Sequence, residues 1–129
     1  MTFVTDTHPF LWYLAEDERL SRAARGIFEQ ADEGDVVVVI PSIVLAESVR
    51  VFEKRRLALS FDDIIAKLAA ASNYPIAALD LRVVSMLRSI PRLPELHDRI
   101  IVATARLLDA SLITKDSAIR ASGYVRTVW

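Results

Sequence analysis

No cysteine occurs anywhere in the 129 residues, so disulfides, zinc-thiolate centres and thiol nucleophiles are excluded from the outset. Glycine is nearly as scarce, with three in the chain, and neither a GxxxxGK[ST] nor a GxGxxG pattern is present. The glycine-rich phosphate cradles are therefore absent. Long apolar runs are missing too: the longest, VVVVIPSIVLA at 36–46, carries Pro41 and Ser42 in its middle and is too short to span a bilayer. The N-terminus has no basic segment and meets Asp6 almost at once, which argues against a secretory signal. A cytoplasmic protein without a membrane partner is the expectation. A strong charge bias is also lacking, since 16 Lys and Arg against 17 Asp and Glu leave a net charge of -1, and this gives no general attraction to nucleic acid. The two parts of the chain differ, however: residues 1–81 hold 13 acidic and 8 basic side chains, and residues 82–129 hold 8 basic and 4 acidic ones.

What is present is the composition of a folded globular protein, 53% hydrophobic and 26% charged, at a length that fits one domain over residues 1–129. Short apolar, β-branched runs occur at FVT (3–5), VVVVI (36–40), IAAL (76–79), SLIT (111–114) and YVRTVW (124–129). Between them lie stretches with helical spacing, at 20–32, 42–56, 61–72 and 98–109. Strand alternating with helix predicts an α/β domain with a mainly parallel central sheet. No repeat, low-complexity tract or linker interrupts it.

In open parallel sheets, functional groups gather beyond the carboxyl ends of the strands. FVT exits into Asp6, VVVVI exits into Pro41-Ser42 and a helix carrying Glu47, and SLIT exits into Lys115-Asp116. Asp98 opens the helix that leads into SLIT. Each acid alone has an ordinary structural reading. Asp6 suits a helix cap, although Pro9 favours the first helical position and would make His8 the formal cap. Glu47 can pair with Arg50 one turn on. Asp98 can complement a helix dipole, while its spacing aligns it with Ile101, Val102, Ala105 and Leu108 rather than with Arg99, Ala103 and Arg106. Asp116 suits a turn or cap.

Together the four acids are harder to explain structurally. Two like charges about 4 Å apart repel by roughly 4 kcal/mol at an effective dielectric of about 20. Without a cation at least one proton would be retained among them. An all-oxygen donor set selects Mg²⁺ or Mn²⁺ over zinc or copper. Carboxylate-bound metal is the equipment of phosphodiester hydrolysis.

These residues also resemble a known family, the PIN-domain endoribonucleases, and within it the VapC-type toxins of toxin-antitoxin pairs. Asp6-Thr7-His8 with Phe10-Leu11-Trp12 resembles the family's opening segment, and Pro41-Ser42 with Glu47 its second acidic motif. His97-Asp98-Arg99-Ile100-Ile101-Val102-Ala103-Thr104-Ala105 resembles the third, and Leu112-Ile113-Thr114-Lys115-Asp116 the fourth. The resemblance implies a three-layer α/β/α sandwich and Mg²⁺- or Mn²⁺-dependent cleavage of RNA. Asp6, Glu47, Asp98 and Asp116 would serve as metal ligands and catalytic acids, with Thr114 as a supporting hydroxyl. It further implies a homodimer and a cognate antitoxin protein as partner. Here His97 directly precedes Asp98, where many relatives have a longer approach, which leaves His97 without an assigned role.

Arg99, Lys115 and Arg120 flank the acids and are candidates for substrate capture, against the ordinary reading of solvated surface cations. Glu53-Lys54-Arg55-Arg56 reads as charge at a helix C-terminus, and Trp12 reads as core. Two rival readings use the same scaffold. A phosphoaspartyl phosphatase wants a second aspartate two positions after Asp6, where His8 stands. A receiver-like switch, with Asp80 as acceptor, wants an acid pair after the first strand, where only Asp6 is present.

Overall fold

The structure is a computed structural model that describes residues 1–54 and 58–129. The predicted Arg55 and Arg56 end of the third helical stretch lies outside the described residues. In chain order the elements are β1 (Thr2–Thr5), α1 (Thr7–Leu14), α2 (Arg22–Asp32), β2 (Val37–Pro41), α3 (Ser42–Lys54) and α4 (Phe61–Ala70). They continue as β3 (Ile76–Ala77), α5 (Leu81–Met86), a 3₁₀ turn (Leu87–Ser89), α6 (Leu96–Leu107), β4 (Ser111–Ile113), α7 (Ser117–Ser122) and β5 (Thr127–Val128).

All five strands are parallel, in the order β3-β2-β1-β4-β5. Phe3 pairs with Val38 on one side of β1, and Val4 pairs with Leu112 on the other. Residues 3–5 of β1 are buried, as expected for a strand covered on both faces. The helices complete a three-layer α/β/α sandwich, with α2 and α3 against β2 and α6 against β1. Phe10, Phe28, Ile40, Ile101, Leu112 and Ile113 are among the fully buried core side chains. After β1 the chain winds outward through β2 and β3 and then returns to place β4 on the other side of β1. The reversal of winding lies between β1 and β4, which is where an open α/β sheet leaves a crevice.

Several expectations shift in detail. Asp6, not His8, caps α1, and Pro9 is the third helical residue, where its missing N–H is one of those that no intrahelical carbonyl could satisfy. Glu95 caps α6, so Asp98 is the third residue of that helix rather than its opener. Ala103 is completely buried, whereas Leu108 is 41% exposed at the helix end. The helix packs against β1, β4, α3 and α5 together, so its buried surface from Ile100 to Ala105 runs around most of its girth and a single-face reading misplaces Ala103. The runs at 76–79 and 124–129 shorten to two paired residues each. The short α5 was not anticipated. Asp80 is its cap, accepting from the Arg82 and Val83 N–H groups and holding the Arg82 guanidinium.

Candidate active site

Three strand ends and one helix supply the acids. β1 stays in the ladder up to the first of them, because the Asp6 N–H donates to the Ile113 carbonyl at 3.0 Å. One carboxyl oxygen of Asp6 accepts from the Thr7 N–H at 2.7 Å. The other accepts the Thr114 hydroxyl at 2.7 Å, across the crevice between β1 and β4. Thr114 is fully buried and its oxygen in turn accepts from the Asp116 N–H at 3.1 Å. One hydroxyl thus ties the first and fourth acids to each other, as the sequence resemblance implied for a supporting residue. Asp116 caps α7 through one oxygen, accepting from the Ile119 N–H at 2.9 Å.

Glu47 comes from the second turn of α3, which follows β2 directly. Its neighbours Val44 and Ser48 are buried and it is itself half-covered. His97 bridges it to Glu95: Nδ1 lies 3.6 Å from a Glu47 oxygen and 3.2 Å from a Glu95 oxygen. Asp98, half-buried on α6, has its backbone N–H bonded to the Glu95 carboxylate at 2.9 Å. Its own carboxyl accepts no hydrogen bond among the described residues.

The ionisation of these groups shows that the four acids share one region. Asp98 is pushed up to about 7, first by burial and then by the charges of Asp116, Asp6, Glu95 and Glu47. Glu47 is raised, chiefly by burial, with His97 opposing and Asp6 adding to the rise. Asp6 is raised by burial in spite of its hydrogen bonds from Thr114 and Thr7, and Asp116 adds to it. Mutually raised carboxyls on an all-oxygen donor set fit a hard divalent cation, which would remove the repulsion. As the side chains stand, no three His, Asp or Glu groups among the described residues are closed around a common point. The acids converge electrostatically, and their terminal rotamers are those of the cation-free protein.

Two cavities open on this cluster. One of about 390 Å³ is lined by Asp6, His8, Pro9, Trp12, Lys115 and Asp116. The other, about 190 Å³, is lined by His8, Glu47, Arg50, Val51, Lys54 and His97. Larger or equal hollows lie elsewhere, beside Asp32 and beside Tyr124. Their acids are already occupied: Asp32 accepts from Tyr13, from Tyr74 at 2.9 Å and from Lys67 at 2.7 Å, and Asp109 pairs with Arg126.

The flanking cations divide. Lys115 lies 5.8 Å from the Trp12 ring centroid at the rim of the larger cavity. Arg99 is engaged elsewhere, donating to the Leu87 carbonyl at 2.8 Å. Arg120 is exposed on α7 with no side-chain partner among the described residues. Trp12 is 8% exposed, which agrees with its reading as core. Sequence reasoning missed Glu95, because glutamate is not an ordinary cap and only the His97 and Asp98 contacts reveal its place. It also left Arg50 and Lys54 unconnected to the acids.

Comparison with known proteins gives a consistent result. A family model described as the PIN domain matches residues 3–122. No curated protein matches the chain. Among solved structures, VapBC2 from Rickettsia felis bound to a promoter DNA fragment is similar over 99% of this chain and 98% of that chain, with a TM-score of 0.73 and 15% identity. FitAcB from Neisseria gonorrhoeae is similar over 100% and 97%, with a TM-score of 0.67 and 14% identity. A toxin-antitoxin complex from Klebsiella pneumoniae is similar over 98% and 95%, with a TM-score of 0.66 and 18% identity. At these identities the likeness speaks for the fold.

Proposed function

The chain belongs to the PIN-domain family, and from that premise we propose that it is a Mg²⁺- or Mn²⁺-dependent endoribonuclease, the VapC-type toxin of a toxin-antitoxin pair. The observation that carries the reading is the convergence of Asp6, Glu47, Asp98 and Asp116, with Asp98 raised to about 7 by burial and by the other acids. A purely structural set of caps has no reason to hold four carboxyls where they oppose one another's ionisation. Asp6, Glu47, Asp98 and Asp116 are the residues that would hold the metal. When bound, a divalent ion there supplies charge neutralisation for a phosphodiester and a more acidic water.

The chain's own groups prepare that chemistry. Thr114 fixes the rotamer of Asp6 and, through the Asp116 N–H, the start of α7. Glu95 holds the first turn of α6 and thereby the position of Asp98. His97 sits between two carboxylates and sets where Glu47 rests. Burial of Thr5, Thr7 and Thr114 under the cluster limits water on its inner side.

The similar solved structures are described as complexes with an antitoxin partner or as toxin-antitoxin systems, which supports a cognate antitoxin for this chain. A homodimer, a cytoplasmic location and a single domain over 1–129 belong to the same reading. No helix among the described residues is long and apolar enough to cross a membrane.

The test is cleavage of a mixed structured RNA by the purified, antitoxin-free protein with Mg²⁺, with Mn²⁺ and with EDTA. Asp6→Ala and Asp98→Ala variants, shown to be folded, run alongside. Metal-dependent cuts that vanish in both variants are the expected result. Metal-independent cutting, or variants as active as the parent, would remove the catalytic assignment.

A further inference from the structure

The two cavities that open on the acids differ in chemistry, and one side chain, His8, belongs to both. The larger, at about 390 Å³, is within the range of ligand pockets, and its floor is Pro9 and Trp12, with Lys115 at the rim and Asp6 and Asp116 on the inner side. The smaller, at about 190 Å³, has the cations Arg50 and Lys54 on α3 with Val51 between them, and Glu47 and His97 on the inner side. His8 is partly exposed on the first turn of α1, its ring centroid 5.6 Å from that of Trp12 with the planes tilted by 49°. The ring faces of Trp12 are already approached by Arg19 at 4.9 Å and Lys115 at 5.8 Å. The aromatic face open to a ligand is therefore that of His8 rather than Trp12.

Resting on the endoribonuclease reading above, we infer that His8 divides two nucleotide subsites. A nucleobase stacks on His8 in the Pro9–Trp12 cavity, and the adjoining phosphate of the same single strand lies against Arg50 and Lys54. Such a strand crosses the ridge at His8 and brings one phosphodiester over Asp6, Asp98 and Asp116. A paired base cannot enter the Pro9–Trp12 cavity without leaving its stack, so the arrangement selects unpaired RNA. A base–ring contact is tolerant of base identity, and a phosphate contact carries none. The opposing charges near the phosphate are Glu47 and Glu95. His97 lies between those two, 3.6 and 3.2 Å from them, which leaves Arg50 and Lys54 as the cations facing outward. This assigns local capture to a protein whose net charge of -1 supplies none globally.

The experiment measures binding of a fluorescent single-stranded hexaribonucleotide to the Asp98→Asn protein, in which cleavage is silenced, over a series of salt concentrations. Added Arg50→Ala and Lys54→Ala changes are expected to weaken binding about ten-fold or more at low salt and to lower the slope of log Kd against log salt by about 0.7 per phosphate lost. Added His8→Ala is expected to weaken binding roughly five-fold or more without changing that slope, and His8→Phe to restore it, as a stacking contact requires. Arg82→Ala, on a remote exposed pair with Asp80, is the unchanged control. Thermal unfolding of each variant shows that it is folded. If the parent binds RNA but these variants bind equally well, or if His8→Phe is as weak as His8→Ala, the subsites are wrong while the nuclease reading stands. If neither wild type nor Asp98→Asn engages RNA, and wild type cuts none, both fall together.

Discussion

Replacing Asp98 by asparagine separates what this site does for activity from what it does for stability. Asp98 moves from an ordinary 3.8 to about 7 because burial and the charges of Asp116, Asp6, Glu95 and Glu47 penalise its ionised form. Between those two pH values the folded state holds a proton that the unfolded state has released, so stability is fully present below about pH 4 and falls as pH rises through 7. Taken whole, that displacement corresponds to about 4 kcal/mol at about 1.36 kcal/mol per pH unit. About half of the side chain is in contact with solvent, and screening reduces the effect to roughly 1–2 kcal/mol. In EDTA at pH 8, Asp98→Asn is therefore expected to raise stability by about 1–2 kcal/mol, a Tm increase of roughly 3–8 °C for a domain of this size. The gain shrinks towards pH 4. RNA cleavage is expected to fall by more than about 100-fold, beyond the upper end of what changes in supporting ligands cost. Added Mg²⁺ should raise the Tm of wild type and leave the variant nearly unmoved, since binding to the folded state alone is what stabilises. Urea unfolding of both proteins at pH 5 and pH 8, with and without Mg²⁺, reads all of this. A variant less stable than wild type at pH 8 in EDTA, or a difference that does not grow with pH, would refute the electrostatic reasoning.

Thr114→Val is nearly isosteric but leaves Asp6 and the Asp116 N–H without the hydroxyl that joins them; a loss of about 1–3 kcal/mol is expected by chemical denaturation, together with weaker metal binding by calorimetry. Asp32→Asn removes the charge that accepts from Lys67 and from the hydroxyls of Tyr13 and Tyr74, remote from the acids. Its expected signature is a stability loss of about 1–3 kcal/mol in thermal unfolding, with cleavage per folded molecule unchanged. Leu112→Ala opens a void in the central strand β4, where the side chain is fully buried, and is expected to cost about 2–5 kcal/mol in urea unfolding.

Much of the fold is legible because its signals are local. The runs at 3–5, 36–40 and 111–114 are buried strands whose exits carry polar residues, and the order of strand and helix alone implies a parallel sheet with its active edge at those exits. Helix ends were less legible. Asp6 and Asp116 satisfy the cap chemistry expected of aspartate, whereas Glu95 does so with an atypical residue, and Asp80 was weighed as a phosphate acceptor before its role at α5 was seen. The six-residue α5 is too short for its periodicity to stand out from a loop. What spacing cannot supply is pairing across the chain. Thr114 and Asp6 are 108 residues apart, and Glu47 meets His97 only because α3 packs against α6. The role left open for His97 was open for that reason.

The backbone and the side chains of this site are arranged to opposite ends. The sheet ladder is kept up to the functional positions: the Asp6 N–H bonds to the Ile113 carbonyl at 3.0 Å, and the Thr114 N–H bonds to the Val128 carbonyl at 3.2 Å. The strand ends are thereby fixed relative to one another with their main-chain donors satisfied, as a precise constellation requires. The carboxyls they carry are held in mutual opposition, with Asp6, Glu47 and Asp98 all shifted toward the protonated form. A protein that needed these acids only as caps would spread them apart, because each helix start is satisfied by its own residue. Placing three strand exits and the first turn of α6 at one crevice adds nothing to those caps and costs stability. The arrangement is therefore explained by what enters the crevice. A cation relieves the opposition, and a phosphodiester completes the charge balance around that cation. The rigid ladder beneath leaves only the last side-chain torsions to reorganise.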